Sequence, residues 1–354
     1  MKKIVLIKLL KTLSISGFAL LLITAGCSHP QGAIFEPLAE PLLWPQPPEE
    51  ARIAYVGMIS TEEDLKPAVS SMQGLLELFF GKEDIGVLVS PNAVIWDGQT
   101  MYVTDSSPGI LHIFDMQYRK YRQASTMGFG ERLTMPVAAA FMDQNICIAD
   151  SVLKKICVFD KEGNFKFSFG QDVLTRPTGV AFCASAEKLY VTDTAKHNIK
   201  VFDSAGNQVS EFGSRGIEPG QFNFPTHLWV DKYGKVYVSD TLNYRVQVFS
   251  GDGTFLRMFG AHGDRPGYFA HPAGIATDSR GNVYVVDKQY ENIQIFDDQG
   301  NILMALGNEG NAPGDFWLPA GLYICNSDRI YIADSFNKRI QVFEYLKAKD
   351  DDEK

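Results

Sequence analysis

The stretch Lys235-Val-Tyr-Val-Ser-Asp-Thr-Leu-Asn-Tyr-Arg-Val-Gln-Val-Phe249 decides the fold of this chain. Two short runs rich in β-branched and aromatic residues flank the turn-forming segment Thr241 to Tyr244. Such runs, bounded by turn residues, are typical of two antiparallel strands joined by a tight turn. A similar run precedes this pair from Pro225 and another follows it from Thr254, so the unit predicts four strands.

This unit occurs six times between residues 91 and 346, and each copy opens at a Pro, at position 91, 136, 177, 225, 272 or 319. An Asp recurs at intervals of 43 to 47 residues, and a Phe follows it nine positions later in every copy. The pairs are Asp105 and Phe114, Asp150 and Phe159, Asp193 and Phe202, Asp240 and Phe249, Asp287 and Phe296, and Asp334 and Phe343. Four short strands at this period are typical of a propeller blade. The sequence therefore predicts an all-β, six-bladed β-propeller with four-stranded blades over residues 51–346.

The sixth copy lacks a fourth strand, and the missing strand is predicted at the other end of the domain. Residues 52–57 match residues 302–307 in their apolar positions and final Gly. We therefore expect a strand over residues 51–57 to complete the last blade and close the ring, which removes two open sheet edges. Residues 61–81 carry N-terminal capping residues and then apolar residues at helical spacing, which predicts one helical insertion. This helix either packs on a propeller face or docks on a partner or membrane.

The N-terminus predicts export. Residues 1–26 combine Lys residues with an apolar stretch shorter than a spanning helix, which is typical of a signal peptide. Leu22 to Cys27 resembles the lipobox of bacterial lipoproteins, in which the Cys sulfur is lipidated; three acyl chains, palmitate among them, would anchor Cys27 firmly. By resemblance to that family's sorting rule, Ser28 favours the outer membrane. The Pro-rich residues 27–50 predict a semi-rigid tether, and residues 347–354 form a charged tail.

The repeats resemble those of the NHL-repeat family of six-bladed β-propellers. The resemblance rests on Tyr237 to Phe249, on Tyr331 to Phe343 and on the linkers around Gly220, Gly267 and Gly314. It implies a rigid binding scaffold, and relatives of this type often serve in envelope assemblies. The formal net charge of −9 argues against nucleic-acid binding, because an acidic protein repels phosphate backbones.

The hypothesis of a catalytic function has less support in the sequence. The peptidyl-hydroxyglycine lyases resemble this chain in blade pattern, and their zinc is held by three His that each follow the Pro opening a repeat. The equivalent positions here are Asn92, Val137, Thr178, Thr226, Ala273 and Ala320, so that zinc set is absent. Asp followed by Ser or Thr at a strand end typically caps a turn, which explains the repeated Asp residues without a metal. No cofactor is predicted. Cys147 and Cys157 lie on adjacent strands of the second copy, where a disulfide is possible.

The leading hypothesis is a membrane-anchored, non-catalytic scaffold of the cell envelope with a protein partner. The longest linkers converge on one propeller face, and aromatic and Arg residues are favoured in interfaces. The predicted interaction face comprises Arg215, His262, Asp264, Arg265, Tyr268 and Trp317. The alternative is an envelope enzyme, or a sensor of a small ligand or glycan, with a site in the central funnel. The predicted funnel lining comprises Asn92, Thr178, Thr226 and His227.

Overall fold

The computed structural model describes residues 32–68 and 86–346, which form six antiparallel sheets. The innermost strand of each sheet contacts the innermost strand of the next sheet, and the sixth contacts the first. The sheets are therefore the blades of a closed ring. The predicted all-β, six-bladed propeller is confirmed.

The strands follow the repeat. Two strands precede the first blade, β1 (Leu43–Trp44) and β2 (Ile53–Ile59). Blade 1 holds β3 (Pro91–Trp96), β4 (Thr100–Asp105), β5 (Ile110–Asp115) and β6 (Lys120–Ala124), and blade 2 holds β7 (Pro136–Met142), β8 (Asn145–Asp150), β9 (Lys155–Asp160) and β10 (Phe165–Phe169). Blade 3 holds β11 (Pro177–Cys183), β12 (Lys188–Asp193), β13 (Asn198–Asp203) and β14 (Gln208–Phe212), and blade 4 holds β15 (Pro225–Val230), β16 (Val236–Asp240), β17 (Arg245–Phe249) and β18 (Phe255–Phe259). Blade 5 holds β19 (Pro272–Thr277), β20 (Val283–Asp287), β21 (Asn292–Phe296) and β22 (Ile302–Leu306), and blade 6 holds β23 (Pro319–Ile324), β24 (Arg329–Asp334) and β25 (Arg339–Tyr345).

The N-terminal strand β2 completes blade 6. It pairs antiparallel with β25, with Tyr55 opposite Phe343 and Ile59 opposite Ile340. The short strand β1 then pairs with β2, so that blade 6 has five strands in the order β1-β2-β25-β24-β23. The prediction that an N-terminal strand closes the ring is confirmed, and the strand covers Ile53–Ile59.

The register of this closure differs from the sequence match by three residues. Leu306 ends the outer strand of blade 5 and occupies the position that Ile59 has in blade 6. Gly307, which follows the outer strand of blade 5, therefore corresponds to Ser60, which follows β2 in blade 6. The sequence match had instead aligned Gly307 with Gly57. The apolar residues of β2 lie close enough together to match the repeat in more than one register. Gly57 has its own role, because a Cβ there would lie 2.5 Å from the Phe35 ring.

The described part of the Pro-rich segment lies against the propeller. The Trp44 ring packs edge-on against Phe343, with ring centroids 5.6 Å apart, and Phe35 packs against the core between blades 6 and 1. Arg119 of blade 1 donates a hydrogen bond to the Gly32 carbonyl oxygen at 2.8 Å. Phe35 and Trp44 of the predicted tether thus pack on the propeller, whereas residues 27–31 lie outside the described residues. The predicted signal peptide, Cys27 and the charged tail lie outside the described residues.

Only the start of the predicted helical insertion lies in the part that the structure describes. One 3₁₀ turn, Glu62–Leu65, begins at Thr61, whose hydroxyl accepts a hydrogen bond from the Glu63 N–H group. The Asp64 carboxylate accepts from the Thr61 N–H group in return, which completes a capping box. Residues 69–81, which carry most of the helical pattern, lie outside the described residues.

The core lies between the blades, because each sheet is covered on both faces by its neighbours. The six repeated Phe residues are at most 1% exposed, and the same core contains a Tyr from each of five blades: Tyr102, Tyr190, Tyr237, Tyr284 and Tyr331. Full burial of both sheet faces explains why the strands read as continuous apolar runs.

The repeated Asp residues are fully buried and tie loops to strands. The Asp150 carboxylate accepts hydrogen bonds from the Thr134 and Met135 N–H groups, in the linker that enters the same blade. It also accepts from the N–H groups of Val152 and Leu153 in the following turn. These carboxylates therefore serve loops and turns, as their sequence context indicates.

The predicted possibility of a disulfide between Cys147 and Cys157 is wrong. Cys147 lies opposite Val158 and Cys157 lies opposite Ile148, so the two thiols point to opposite faces of blade 2. They pack into different inter-blade cores, and both are free. Burial raises the pKa of Cys157 to about 12 and that of Cys147 further, so both thiols are protonated at neutral pH.

Candidate functional site

The disc has two faces with different loops. We call the linker face the one that carries the linkers between blades and the turns joining the second and third strands of each blade. Hydrogen bonds join the two kinds of loop, as from the Phe336 N–H group to the Trp317 carbonyl oxygen at 3.1 Å. The opposite face, which we call the turn face, carries the turns after the first and third strands.

A buried Gln holds each of three long linkers, residues 213–224, 260–271 and 307–318, in place. In blade 5, Gln294 donates to the Tyr268 carbonyl oxygen at 2.7 Å and accepts from the Gly267 N–H group at 2.8 Å. Gln247 and Gln341 make the equivalent pair of bonds in blades 4 and 6. Satisfied buried polar groups rigidify the elements that they join, so these linkers are fixed platforms.

The linker face carries all six residues of the predicted interaction face. Each of them is exposed: Arg215, His262, Asp264, Arg265, Tyr268 and Trp317. Two of them also pack within the face. His262 lies against Tyr244, with ring centroids 4.2 Å apart, and Trp317 lies against Phe336 at 4.3 Å.

The structure adds two apolar residues to this face that the sequence reasoning missed. Phe336 and Leu318 are 54% and 38% exposed, beside Trp317 at 40%. We call these three residues the blade 6 patch. Leu318 is the residue before the Pro that opens its copy, and Phe336 is the second residue after the repeated Asp. An alignment of the six copies would have placed both on the loops of one face.

A central channel of about 690 Å³ runs along the inner strands. Aromatic side chains line it, namely those of Phe141, Phe182, Trp229, Tyr233 and Tyr323. Its wide end is formed by turns of the turn face, such as residues 231–233, and it therefore opens away from the long linkers. Trp229 donates to the Thr277 hydroxyl at 2.9 Å and packs edge-on against Tyr323, so the aromatic wall is held in place.

Of the predicted funnel lining, only His227 reaches this channel. Asn92 donates to the Ser90 carbonyl oxygen and to the Ser106 hydroxyl within blade 1. Thr178 donates to the Thr226 carbonyl oxygen at 2.7 Å, a bond between blades 3 and 4.

The Thr226 hydroxyl bonds Thr241 and lies 3.0 Å from Nδ1 of His227. Burial lowers the pKa of His227 to about 3, and the nearby Lys288 and His271 add to that shift. The imidazole is therefore neutral at neutral pH. Polar groups near the linker end of the channel thus bond one another, and the large cavity lies beyond them.

Residues 32–68 and 86–346 contain neither a metal-binding cluster nor a membrane-spanning helix. No group of three or more His, Cys, Asp or Glu side chains is placed there to hold a metal ion. None of the helices within those ranges is long and apolar enough to cross a membrane.

Two protein-family models match the chain. The NHL repeat model matches residues 174–202, and a model described as a 6-bladed beta-propeller matches residues 277–347. Among curated proteins, the chain is similar to Protein brain tumor of Drosophila melanogaster, with 30% identity over 132 residues. That match covers 34% of this chain and 12% of the Drosophila protein.

Solved structures with the same fold include binding proteins, an enzyme and uncharacterised proteins. A protein of unknown function from Bacteroides thetaiotaomicron aligns with a TM-score of 0.60 and 16% identity, over 74% of this chain and 71% of that one. An auxiliary nutrient binding protein from Bacteroides ovatus aligns at 0.57 and 12%, over 75% and 71%. Virginiamycin B lyase from Staphylococcus aureus aligns at 0.54 and 12%, over 73% and 95%. At these identities the likeness concerns the fold alone. The six closed blades and the two family matches together identify this chain as an all-β six-bladed propeller in which residues 174–202 match the NHL repeat.

Proposed function

We propose that this propeller is a non-catalytic binding module whose linker face, centred on the blade 6 patch, binds a protein partner. One observation carries the proposal: two large aromatic side chains and a Leu are exposed together on the linker face. Trp317 and Leu318 lie on a linker that the buried Gln341 holds rigid, and Phe336 lies on the turn hydrogen-bonded to it. Trp and other aromatic residues dominate the binding energy of protein interfaces. A preformed surface also loses little conformational entropy when it binds. The NHL repeat supports this proposal, because NHL propellers often serve in protein–protein interaction.

We expect the protein partner to bind more weakly when a charged residue is introduced into the blade 6 patch. Trp317→Asp should weaken binding by roughly 30-fold, since an interface hot spot contributes about 2 kcal/mol or more. The measurement is affinity purification of the full-length protein from detergent-solubilised membranes, with quantitative mass spectrometry of co-purifying proteins. The control is Tyr118→Asp, which charges an exposed aromatic residue in a turn of the opposite face. The proposal fails if the same proteins are retained by both variants, or are lost from both while each melts like the wild type.

We also propose that the protein is anchored in the cell envelope through lipid on Cys27, and that the outer membrane holds it. The support is the Lys-rich and apolar N-terminal sequence, the lipobox-like run before Cys27, and Ser28 after it. Cys27→Ser is expected to leave an unprocessed precursor that incorporates no labelled palmitate. Normal maturation of this variant on a gel would contradict the anchor.

A second candidate is binding of a small ligand in the central channel. The size and aromatic lining of the channel favour it, because ligand sites are typically concave, mostly apolar and about 300–1,000 Å³ in volume. The nutrient binding protein and the lyase with the same fold are consistent with such a role. Soaking or titration with candidate ligands would separate it from the first candidate, because the channel opens on the turn face.

A further inference from the structure

The residue after the repeated Asp has the same structural role in most blades. It carries a hydroxyl in five copies, as Ser106, Ser151, Thr194, Thr241 and Ser335. In four of them this hydroxyl donates to the carbonyl oxygen of the Pro that opens the next blade. Thr194 bonds Pro225 at 2.6 Å and Thr241 bonds Pro272 at 2.9 Å, and Ser151 and Ser335 bond Pro177 and Pro91 in the same way. The hydroxyl thus joins the turn after the second strand of one blade to the inner strand of the next.

Blade 5 departs from this pattern, because Lys288 takes the place of the hydroxyl. The side chain is half-buried, and its ammonium group forms no hydrogen bond or ion pair with any residue that the structure describes. Burial lowers the pKa of Lys288. The carboxylate of the preceding residue, Asp287, accepts hydrogen bonds from backbone N–H groups, including those of Ala270 at 2.7 Å and Gln289 at 3.0 Å. A partly buried cation without a counter-charge costs stability, and an anion bound beside it would offset that cost.

Two more basic groups surround this ammonium. The Lys288 N–H group donates to the His271 carbonyl oxygen at 3.0 Å, which places the two residues side by side. His227 of blade 4 lines the channel, and it lies close enough to Lys288 and His271 for their charges to act on its imidazole. Burial lowers the pKa of both imidazoles, and the positive charge of Lys288 lowers it further, whereas Asp287 raises the pKa of His271. The three groups therefore share one electrostatic environment. No acidic side chain forms an ion pair with any of the three within the described ranges.

We propose that Lys288, with His271 and His227, binds the oxyanion group of a small ligand at the linker end of the central channel. A carboxylate or a phosphate supplies the negative charge and the acceptor oxygens that these three donors lack. Lys provides the charge as a compact ammonium, and the imidazoles provide ring N–H donors. The aromatic cavity beyond His227 leaves room for the remainder of a molecule that carries such a group. This site is independent of the partner proposed for the linker face.

The test uses Lys288→Ser in the full-length protein, because Ser restores the residue type of the other blades. We expect sodium phosphate or sodium acetate to raise the Tm of the wild type by about 2 °C or more relative to sodium chloride at equal ionic strength. Comparison of the two salts identifies the preferred oxyanion. Lys288→Ser is expected to remove this shift and to raise the Tm of the ligand-free protein, since it replaces a lone cation with a bonded hydroxyl.

The matched control is Lys196→Ser, which removes an exposed Lys from the equivalent turn of blade 3 and changes the net charge equally. It should keep the full anion-dependent shift. The proposal is overturned if neither salt shifts the wild-type Tm relative to chloride, or if Lys288→Ser responds as the wild type does. Titration calorimetry with phosphate or acetate, whichever gives the larger shift, provides the second readout, with at least tenfold weaker binding expected for Lys288→Ser.

Discussion

Asp334→Ala is expected to lower the free energy of unfolding by about 3–5 kcal/mol, because it leaves a buried guanidinium without its counter-charge. Arg339 is 5% exposed, and its Nε donates to the Asp334 carboxylate at 2.7 Å. The same carboxylate accepts from Asn337 at 2.9 Å and from the Trp317 N–H group at 2.8 Å. The substitution therefore strands several donors at once. Urea unfolding followed by tryptophan fluorescence measures the loss.

The repeat offers a matched control for this experiment. Asp193 occupies the same position in blade 3, but the residue aligned with Arg339 there is Asn198. Asp193 accepts from the Thr175 and Arg176 N–H groups at 2.8 and 2.9 Å. Asp193→Ala should therefore cost about 1–3 kcal/mol, the penalty for unsatisfied neutral donors. Equal losses at the two positions would mean that the buried ion pair adds nothing.

Deletion of residues 51–59 is expected to abolish cooperative folding. It removes β2, and with it the strand that covers Ile340 and Phe343 and joins the last blade to the chain that enters the first. The loss exposes a strand edge and opens two inter-blade cores, to which Ile53 and Ile59 contribute. The expected penalty exceeds the roughly 5–15 kcal/mol by which a domain is stable. The measurements are the soluble yield and the melting curve by circular dichroism.

Two neighbouring substitutions test the same strand without a deletion. Ile59 is fully buried and Met58 is 41% exposed on the other face of β2. Ile59→Asp places an uncompensated charge in the core and is expected to prevent a cooperative transition. Met58→Gln, which leaves a neutral side chain of similar length beside Arg339, is expected to change stability by no more than about 0.5 kcal/mol. Cooperative melting of the deletion or of Ile59→Asp near the wild-type temperature would contradict the closure.

The architecture could be predicted from sequence because it depends on spacing. The nine-residue interval between Asp and Phe is visible in the sequence of each hairpin, and both residues are buried in every blade. The six residues predicted for the interaction face could be assigned to one side of the propeller for the same reason, since linkers of one connection type must share one face.

The predictions that were wrong concern contacts between strands and between blades. The disulfide required the register of β8 against β9, and a shift of one residue moves a side chain to the opposite face. The funnel prediction failed for Asn92, Thr178 and Thr226 because their side chains bond neighbouring loops and blades. The open end of the channel depends on how closely the inner strands approach. Gly321 lies so close to the next blade that a Cβ there would be 2.3 Å from the Asn92 carbonyl oxygen.

The pairing of β2 with β25 also governs how the protein can be made. The two strands lie almost at opposite ends of the propeller sequence, so this contact has a very high sequence separation and forms late during folding. During synthesis, the ring stays open until residues 339–345 have emerged. A chain that stops earlier presents β2 as an unpaired edge, which is a template for aggregation and for proteolysis. Only chains that extend through residue 345 can therefore close the ring.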